Sequence, residues 1–365
     1  MGRLGVSIYP EHSTPEKDMA YLTLAAKYGF SRVFTCLLSV NKPAEEIKAD
    51  FKQVCEHANN LGMEVIVDVA PRVFTALGIT YDNLSFFKEI GASGFRLDEG
   101  FNGGVEANMT YNPHGLKVEI NASSDSPYID LVMFHKPARS KLIACHNFYP
   151  QTFSGLDLPL FKAASKKLRG YNIPIAAFVG SQEEGTYGPW PVNEGLCTLE
   201  AHRTMPIDAQ ARHLFATGLV DDVIIANAYA SEEELKALSE VNLNMPTFNI
   251  DLEEGVTEEE LDVIYNFRHA GRGDAPDYIL RSSWPRFKYR KPTESIPYRE
   301  SVEVFKRGDV VIVNDNCKHY CGELQVVLKD MPNDGERNLA GRIPAHELCI
   351  LDLVPASIPF GFLKK

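Results

Sequence analysis

Cys145-His146-Asn147-Phe148-Tyr149-Pro150 follows a short apolar run, Lys141-Leu142-Ile143-Ala144. The run reads as a buried strand. The switch to polar and aromatic residues, closed by proline, puts His146, Asn147 and Tyr149 at the strand's C-terminal end. A parallel α/β barrel keeps its chemistry there, because the strands are rigid and the loops beyond them free to vary. His146 and Asn147 are neighbours on an extended chain, so only one of them can face the barrel axis.

The same grammar runs through the first two thirds of the chain. Leu4–Tyr9, Arg32–Thr35, Glu64–Asp68, Gly94–Asp98, Leu116–Asn121, Lys141–Cys145, Pro174–Gly180 and Val223–Asn227 read as eight strands, nearly all followed by helical patterns. Thr14 with Pro15 and Glu16 signals a helix start, Gly29 and Gly62 signal stops, and Ser231 with Glu234 forms a capping box. Eight such units need parallel pairing through right-handed crossovers, which predicts an α/β fold, a (β/α)8 TIM barrel, over residues 1–242. The long Gly/Pro-rich loop 181–206 falls at the catalytic end of strand seven, and a loop of that length is usually functional.

After Pro246 the pattern changes. Short strands are predicted over 247–251, 277–282, 309–313, 324–328 and 348–353, with a helix capped by Thr257 and Glu260. Residues 246–365 therefore read as a small, mostly antiparallel β-barrel or sandwich.

Composition narrows the function. Hydrophobic residues make up 44% and charged residues 24% of 365, so the chain is an ordinary globular one. Its formal charge of -12 and lack of a basic block speak against nucleic acid as a partner. No stretch approaches the length of a membrane span and no secretory signal opens the chain, so no membrane partner and a cytoplasmic location are expected. The odd count of 7 cysteines, four of them in apolar runs (Cys36, Cys55, Cys145, Cys349), suggests reduced thiols. Cys317, His319 and Cys321 lack a second ligand pair, so no metal is expected. P-loop, GxGxxG, HExxH and GxSxG motifs are absent, and no cofactor is expected.

Four groups could carry chemistry. Asp68, Asp98, Glu99 and Glu119 are read at strand tips, where a barrel mouth brings neighbouring carboxylates within acid/base range. His146, Asn147 and Tyr149 could bind hydroxyls or an amide. In the long loop, Tyr187 and Trp190 offer flat faces for a sugar ring, and His202 and Arg203 could hold an anion. Beyond the barrel, Arg281, Arg286, Lys288, Arg290 and Lys291 form a local basic run. Two other readings compete. A Schiff-base aldolase wants a lysine inside the barrel, whereas Lys117 and Lys141 stand at strand starts. A carbohydrate- or peptide-binding protein would have no use for the acidic tips.

The chain resembles the 6-phospho-N-acetylmuramidase family of two-domain bacterial proteins over essentially its whole length. The resemblance rests on Gly5–Pro10, Arg96-Leu97-Asp98, Glu119–Ser123, His146–Pro150, Glu194–Arg203 and Gly308–Asn314. Where the family pattern has proline in Glu-Gly-Leu-x-Thr-Leu-Glu, this chain has Cys197. The resemblance implies a barrel joined to a cyclophilin-like β-domain. It also implies cytoplasmic cleavage of the β-1,4 bond of N-acetylmuramic acid 6-phosphate–N-acetylglucosamine, in peptidoglycan recycling. The partner is then a small phosphorylated amino sugar or disaccharide; a homo-oligomer is compatible with the sequence. Asp98 and Glu119, inside matching motifs, are the expected catalytic pair. Glu119 would protonate the leaving oxygen, and Asp98 would attack or orient the acetamido group. Arg203, Arg281 and His202 are expected to meet the anions, and Asn121 and Asn147 the amide. Tyr9, Asp68, His146, Tyr149, Glu194 and Asn227 complete the expected substrate contacts.

Overall fold

In a computed structural model, which describes residues 2–37, 43–69, 71–274, 277–354 and 357–364, the chain divides into two compact units, Met1–Val241 and Asn242–Lys365. The first unit is a closed parallel barrel of β1 (Arg3–Ile8), β2 (Arg32–Leu37), β3 (Glu64–Val69), β4 (Gly94–Leu97), β5 (Lys117–Asn121), β6 (Leu142–Cys145), β7 (Ile175–Val179) and β8 (Asp222–Ile225), paired in sequence order with β8 closing on β1. This is the TIM barrel expected from the repeated strand–helix grammar.

Registers set which side chains meet inside. Cys36, Asp68, Arg96, Glu119 and Ile143 are paired neighbours across five strands. Strands β4 and β5 approach so closely at Gly94 that a Cβ there would stand 2.6 Å from the Lys117 carbonyl oxygen, so only glycine fits. The outer faces of the strands are aliphatic. Ile120, Leu142, Ala144 and Ile175 pack under Val132 of helix Tyr128–Phe134 and Leu168 of helix Leu158–Gly170. The sequence reading missed helix Tyr128–Phe134 because its first turn follows a polar Ser/Asp stretch with no side-chain cap.

The barrel floor is ionic where most barrels carry branched aliphatics. Arg32 is buried and bonds Asp222 at 2.5 Å and Glu119. Arg3 bonds Asp222 at 2.7 Å and Glu64 at 2.9 Å, and Lys117 also pairs with Glu64. Above this layer, Phe34, Phe148 and Phe178 fill the barrel centre edge-to-face, with centroids 4.9–6.1 Å apart.

The second unit contains β9 (Thr247–Phe248), β10 (Asp251–Leu252), β11 (His269–Ala270), β12 (Ile279–Ser282), β13 (Val304–Phe305), β14 (Asp309–Val313), β15 (Leu324–Val327), β16 (Met331–Pro332), β17 (Arg337–Arg342) and β18 (Pro359–Phe362). Its main sheet is antiparallel, in the order β10-β17-β14-β15-β12. Two expectations are corrected. The apolar run at 348–353 is not a strand: Pro344 starts a helical turn that continues as helix Leu348–Leu351. The predicted strand 247–251 splits into β9 and β10, which join different sheets. Strand β17 was missed because Arg-Asn-Leu-Ala-Gly-Arg lacks β-branched residues, yet it pairs with β14 along its length.

Breaking a buried ion pair by removing one partner leaves the other charge uncompensated. Glu119→Ala should therefore lower unfolding stability by about 3–5 kcal/mol in a urea titration. A loss below about 1 kcal/mol would show that the Arg32–Glu119 pair does not support the barrel.

Candidate active site

The C-terminal mouth of the barrel holds a cavity of about 220 Å³ lined by Phe34, Cys36, Asp68, Arg96, Asp98, Asn147, Phe148, Tyr149, Phe178 and Trp190. Its polar centre is Arg96, at the end of β4 and only 3% exposed. Arg96 Nη1 donates to Asp68 Oδ1 at 2.7 Å and to Asp98 Oδ1 at 3.2 Å, and Nη2 donates to Asn147 Oδ1. One guanidinium thus holds side chains from three strand ends.

The two aspartates differ in setting. Asp68 is buried, and the Cys36 thiol lies 3.6 Å from its Oδ2. Burial pushes its carboxyl above the usual range; Arg96 pulls it back, the charge of Asp98 pushes it up again, and the net shift is upward. The Asp98 side chain is 42% exposed. Trp190 lines the mouth and is 41% exposed.

Of the candidate site residues singled out in the sequence, Asp68, Asp98, Asn147, Tyr149 and Trp190 line this cavity and the others do not. Glu119 is corrected from a strand tip to mid-strand. It lies in register with Arg96, one layer below Asp98 and Asn121, is fully buried and is paired with Arg32. His146 points out through the wall, where its Nε2 bonds Ser165 Oγ at 2.9 Å and its ring lies against Phe161. The neighbour rule on an extended chain decided this: Asn147 faces in, so His146 faces out. Asn121 braces a loop instead of offering an amide, since its Oδ1 accepts from the Ser123 amide at 2.9 Å. The Tyr9 hydroxyl donates to the Ala226 carbonyl, and its ring is buried.

The loop residues build the loop itself. Arg203 donates Nη1 to the carbonyls of Tyr149, Glu194 and Gly195 at 2.8–3.0 Å and forks Glu200 with Nε and Nη2. That bond is the largest reason why Glu200 titrates at about 2. Gly195 has φ 92°, a conformation that turns its carbonyl onto the guanidinium and disfavours any side chain. Glu194 accepts from the amide and hydroxyl of Thr152, both at 2.7 Å. His202 Nε2 meets His213 Nδ1 at 2.7 Å in a buried pair. Asn227 clamps the loop start, accepting from Ser181 N at 2.8 Å and donating to Thr186 Oγ1 at 2.8 Å. Arg281 belongs to the second unit, where it forks the buried Glu323 at 2.7 and 3.1 Å.

The sequence reading gave Arg96 no role. The period of two was the available signal: a side chain two residues before Asp98 on a strand must face the same way. No group of three His, Cys, Asp or Glu among the described residues could hold a metal ion. No helix among them is long and apolar enough to cross a membrane.

A carboxylate pair bonded to one arginine at the mouth of a parallel barrel suits acid/base chemistry of the glycosidase type. The comparisons make this particular. The 6-phospho-N-acetylmuramidase N-terminal family model matches residues 4–240, and the C-terminal model of the same family matches 246–363. The chain belongs to the 6-phospho-N-acetylmuramidase family, a family of glycosidases. It is similar to the crystal structure of an uncharacterized B. cereus protein, with 48% identity, TM-score 0.92, and 100% of this chain and 99% of that one covered. It is also similar to the crystal structure of a conserved Enterococcus faecalis protein with an unknown function, with 25% identity, TM-score 0.72, and 100% and 96% covered. No curated protein matches the chain.

Burial holds His146 down at about 3 and His202 well below its ordinary 6.5. The unfolded chain binds these protons before the folded one does. Their contribution is therefore complete above about pH 6.5 and is lost progressively as pH falls toward the folded values, by about 1.4 kcal/mol per pH unit for each histidine. Thermal melts of His146→Gln should show a shallower loss between pH 6.5 and 4 than the parent. Equal slopes would mean that His146 is not held neutral.

Proposed function

We propose that the chain hydrolyses the β-1,4 bond of N-acetylmuramic acid 6-phosphate–N-acetylglucosamine in the cytoplasm, as a step of peptidoglycan recycling, with Asp98 and Asp68 as its catalytic carboxylates. The observation that carries the reading is the pair of bonds from one Arg96 nitrogen to both aspartates at the barrel mouth, in a chain of this family. Asp68, buried and raised, is suited to hold the proton that the leaving oxygen needs. Asp98, facing the cavity, is suited to attack the anomeric carbon or to orient the acetamido group that does so. In the first step the C1–O bond breaks as the Asp68 proton passes to the leaving oxygen and the nucleophile bonds C1. In the second, water gives its hydroxyl to C1 and its proton to Asp68 as the bond between C1 and the nucleophile breaks and its electron pair returns to the nucleophile.

Geometry speaks for retention. Asp68 Oδ1 and Asp98 Oδ1 share one donor at 2.7 and 3.2 Å, so they stand no farther apart than those two bonds laid end to end. A span that short between two of the oxygens favours the ~5–5.5 Å of retaining pairs over the ~6.5–9.5 Å of inverting ones.

A chromogenic N-acetylmuramic acid 6-phosphate β-glycoside should be cleaved, and its unphosphorylated twin should not. Asp98→Asn and Asp68→Asn should each lower kcat about 10²–10⁴-fold with the fold intact by circular dichroism. Near-normal turnover in either removes that residue from the mechanism. The basic limb of the rate profile belongs to Asp68, because a general acid works below its pKa and fails above it; this limb should vanish in Asp68→Asn. Proton NMR of the first product should show the β-anomer, and α-anomer appearing first would overturn retention.

A further inference from the structure

The second unit carries a polar cavity that the barrel chemistry does not use. About 310 Å³ in volume, it is lined by Ile279, Arg281, Val313, Cys317, Tyr320, Glu323, Gln325, Glu336 and Arg337. Its floor is a polar row laid across an apolar sheet. Arg337 Nε donates to Gln325 Oε1 at 2.8 Å, Gln325 Nε2 donates to Glu323 Oε1 at 2.8 Å, and Arg281 forks Glu323 from β12. Glu323 is fully buried and also accepts from Ser283 Oγ at 3.1 Å and Arg286 Nη1 at 3.2 Å. Such a row is costly unless every member is satisfied, and here it fixes two guanidinium groups on the cavity wall.

The rim is aromatic and cationic. Arg286 lies 4.2 Å and Arg281 5.8 Å from the centroid of Tyr320. Trp284 and Phe287 are each 59% exposed, on the segment that leaves β12 toward Arg286. Residues 281–291 carry Arg281, Arg286, Lys288, Arg290 and Lys291 and no acidic residue, in a chain of charge -12. Guanidinium groups recognise carboxylate and phosphate, and exposed aromatic faces take the apolar face of a ring.

We propose that this cavity is a second ligand site, separate from the barrel mouth, that binds a small sugar bearing a phosphate or carboxylate. Arginines 281 and 337 meet the anion, and Tyr320 meets the ring. The anion-and-ring pattern comes from the cavity alone; the choice of a sugar rests on the proposed glycosidase reading, and the test separates the two.

The chain has 2 tryptophans, Trp190 at the barrel mouth and Trp284 in the segment between Ser283 and Arg286, which both bond the cavity residue Glu323. In full-length Trp190→Phe protein, emission therefore reports on Trp284. N-acetylmuramic acid 6-phosphate should change it saturably at millimolar concentration or below, and neutral N-acetylglucosamine should not. Arg337→Gln should weaken that binding about tenfold or more while barrel hydrolysis in the otherwise unaltered chain stays at its parent rate. Tyr320→Ala, on the exposed rim, serves if Arg337→Gln fails to fold, and should weaken binding in the same way. No emission change with the sugar phosphate, or an equal response to the neutral sugar, would overturn the site. Inorganic phosphate binding as tightly as the sugar phosphate would overturn the sugar while hydrolysis at the barrel remained untouched.

Discussion

The active site depends on one guanidinium. Arg96 is held in the barrel by the register of β4 against β3 and β5, and it holds Asp68, Asp98 and Asn147 in return. Arginine suits the position because its planar fork gives several donors with fixed directions; lysine would offer one compact charge. Without it, two carboxylates would face one another in a largely dry pocket, and one would have to be neutral or displaced. With it, both bond one guanidinium nitrogen, at 2.7 and 3.2 Å.

The rest of the barrel serves to keep that cluster in place. The Phe34, Phe148 and Phe178 rings fill the axis beneath it, so its polar groups can face only the mouth. The long loop is then pinned around the mouth by side chains that resemble ligand binders in the sequence. Arg203 gathers three carbonyls, Asn227 clamps Ser181 and Thr186, and Glu194 caps Thr152. Rigid loop anchoring is a condition of catalysis, since a displacement of about 1 Å can cost about a hundredfold in rate. Motif positions filled by loop anchors are therefore as restrictive as those filled by groups that touch substrate.

The eight-strand grammar was legible because each strand is an apolar run with a polar end and each helix has a cap or a glycine stop. The position of Asp98, Asn147 and Tyr149 at the mouth was legible for the same reason. The direction of a side chain at a strand end was only half legible. Alternation said that His146 and Asn147 diverge, but which one faces inward depends on the pairing of β6 with β5 and β7. Glu119 looked like a tip because Asn121, two residues on, is also polar, and no sequence signal announces that Arg32 lies across the barrel to receive it. In the second unit, β17 is fixed by pairing with β14 and β10, contacts between residues far apart in the chain. Local propensity carries little of that information.

Two ionic clusters sit inside one barrel, and their charge balance separates structure from chemistry. At the floor, Arg3, Arg32 and Lys117 meet Glu64, Glu119 and Asp222, three cations with three carboxylates. A balanced cluster resists change, because removing either partner of a buried pair such as Arg32–Glu119 strands a charge. At the mouth, Arg96 alone meets Asp68 and Asp98. One cation cannot neutralise two carboxylates, so the surplus negative charge is costliest on whichever is worse solvated. That residue is Asp68, and its raised affinity for a proton follows from the count as much as from burial. The unbalanced cluster is open to the cavity, and the balanced one has Arg32, Glu119 and Asp222 buried at its centre. A deficit of one positive charge at the open end of the barrel adds to burial in raising the proton affinity of Asp68.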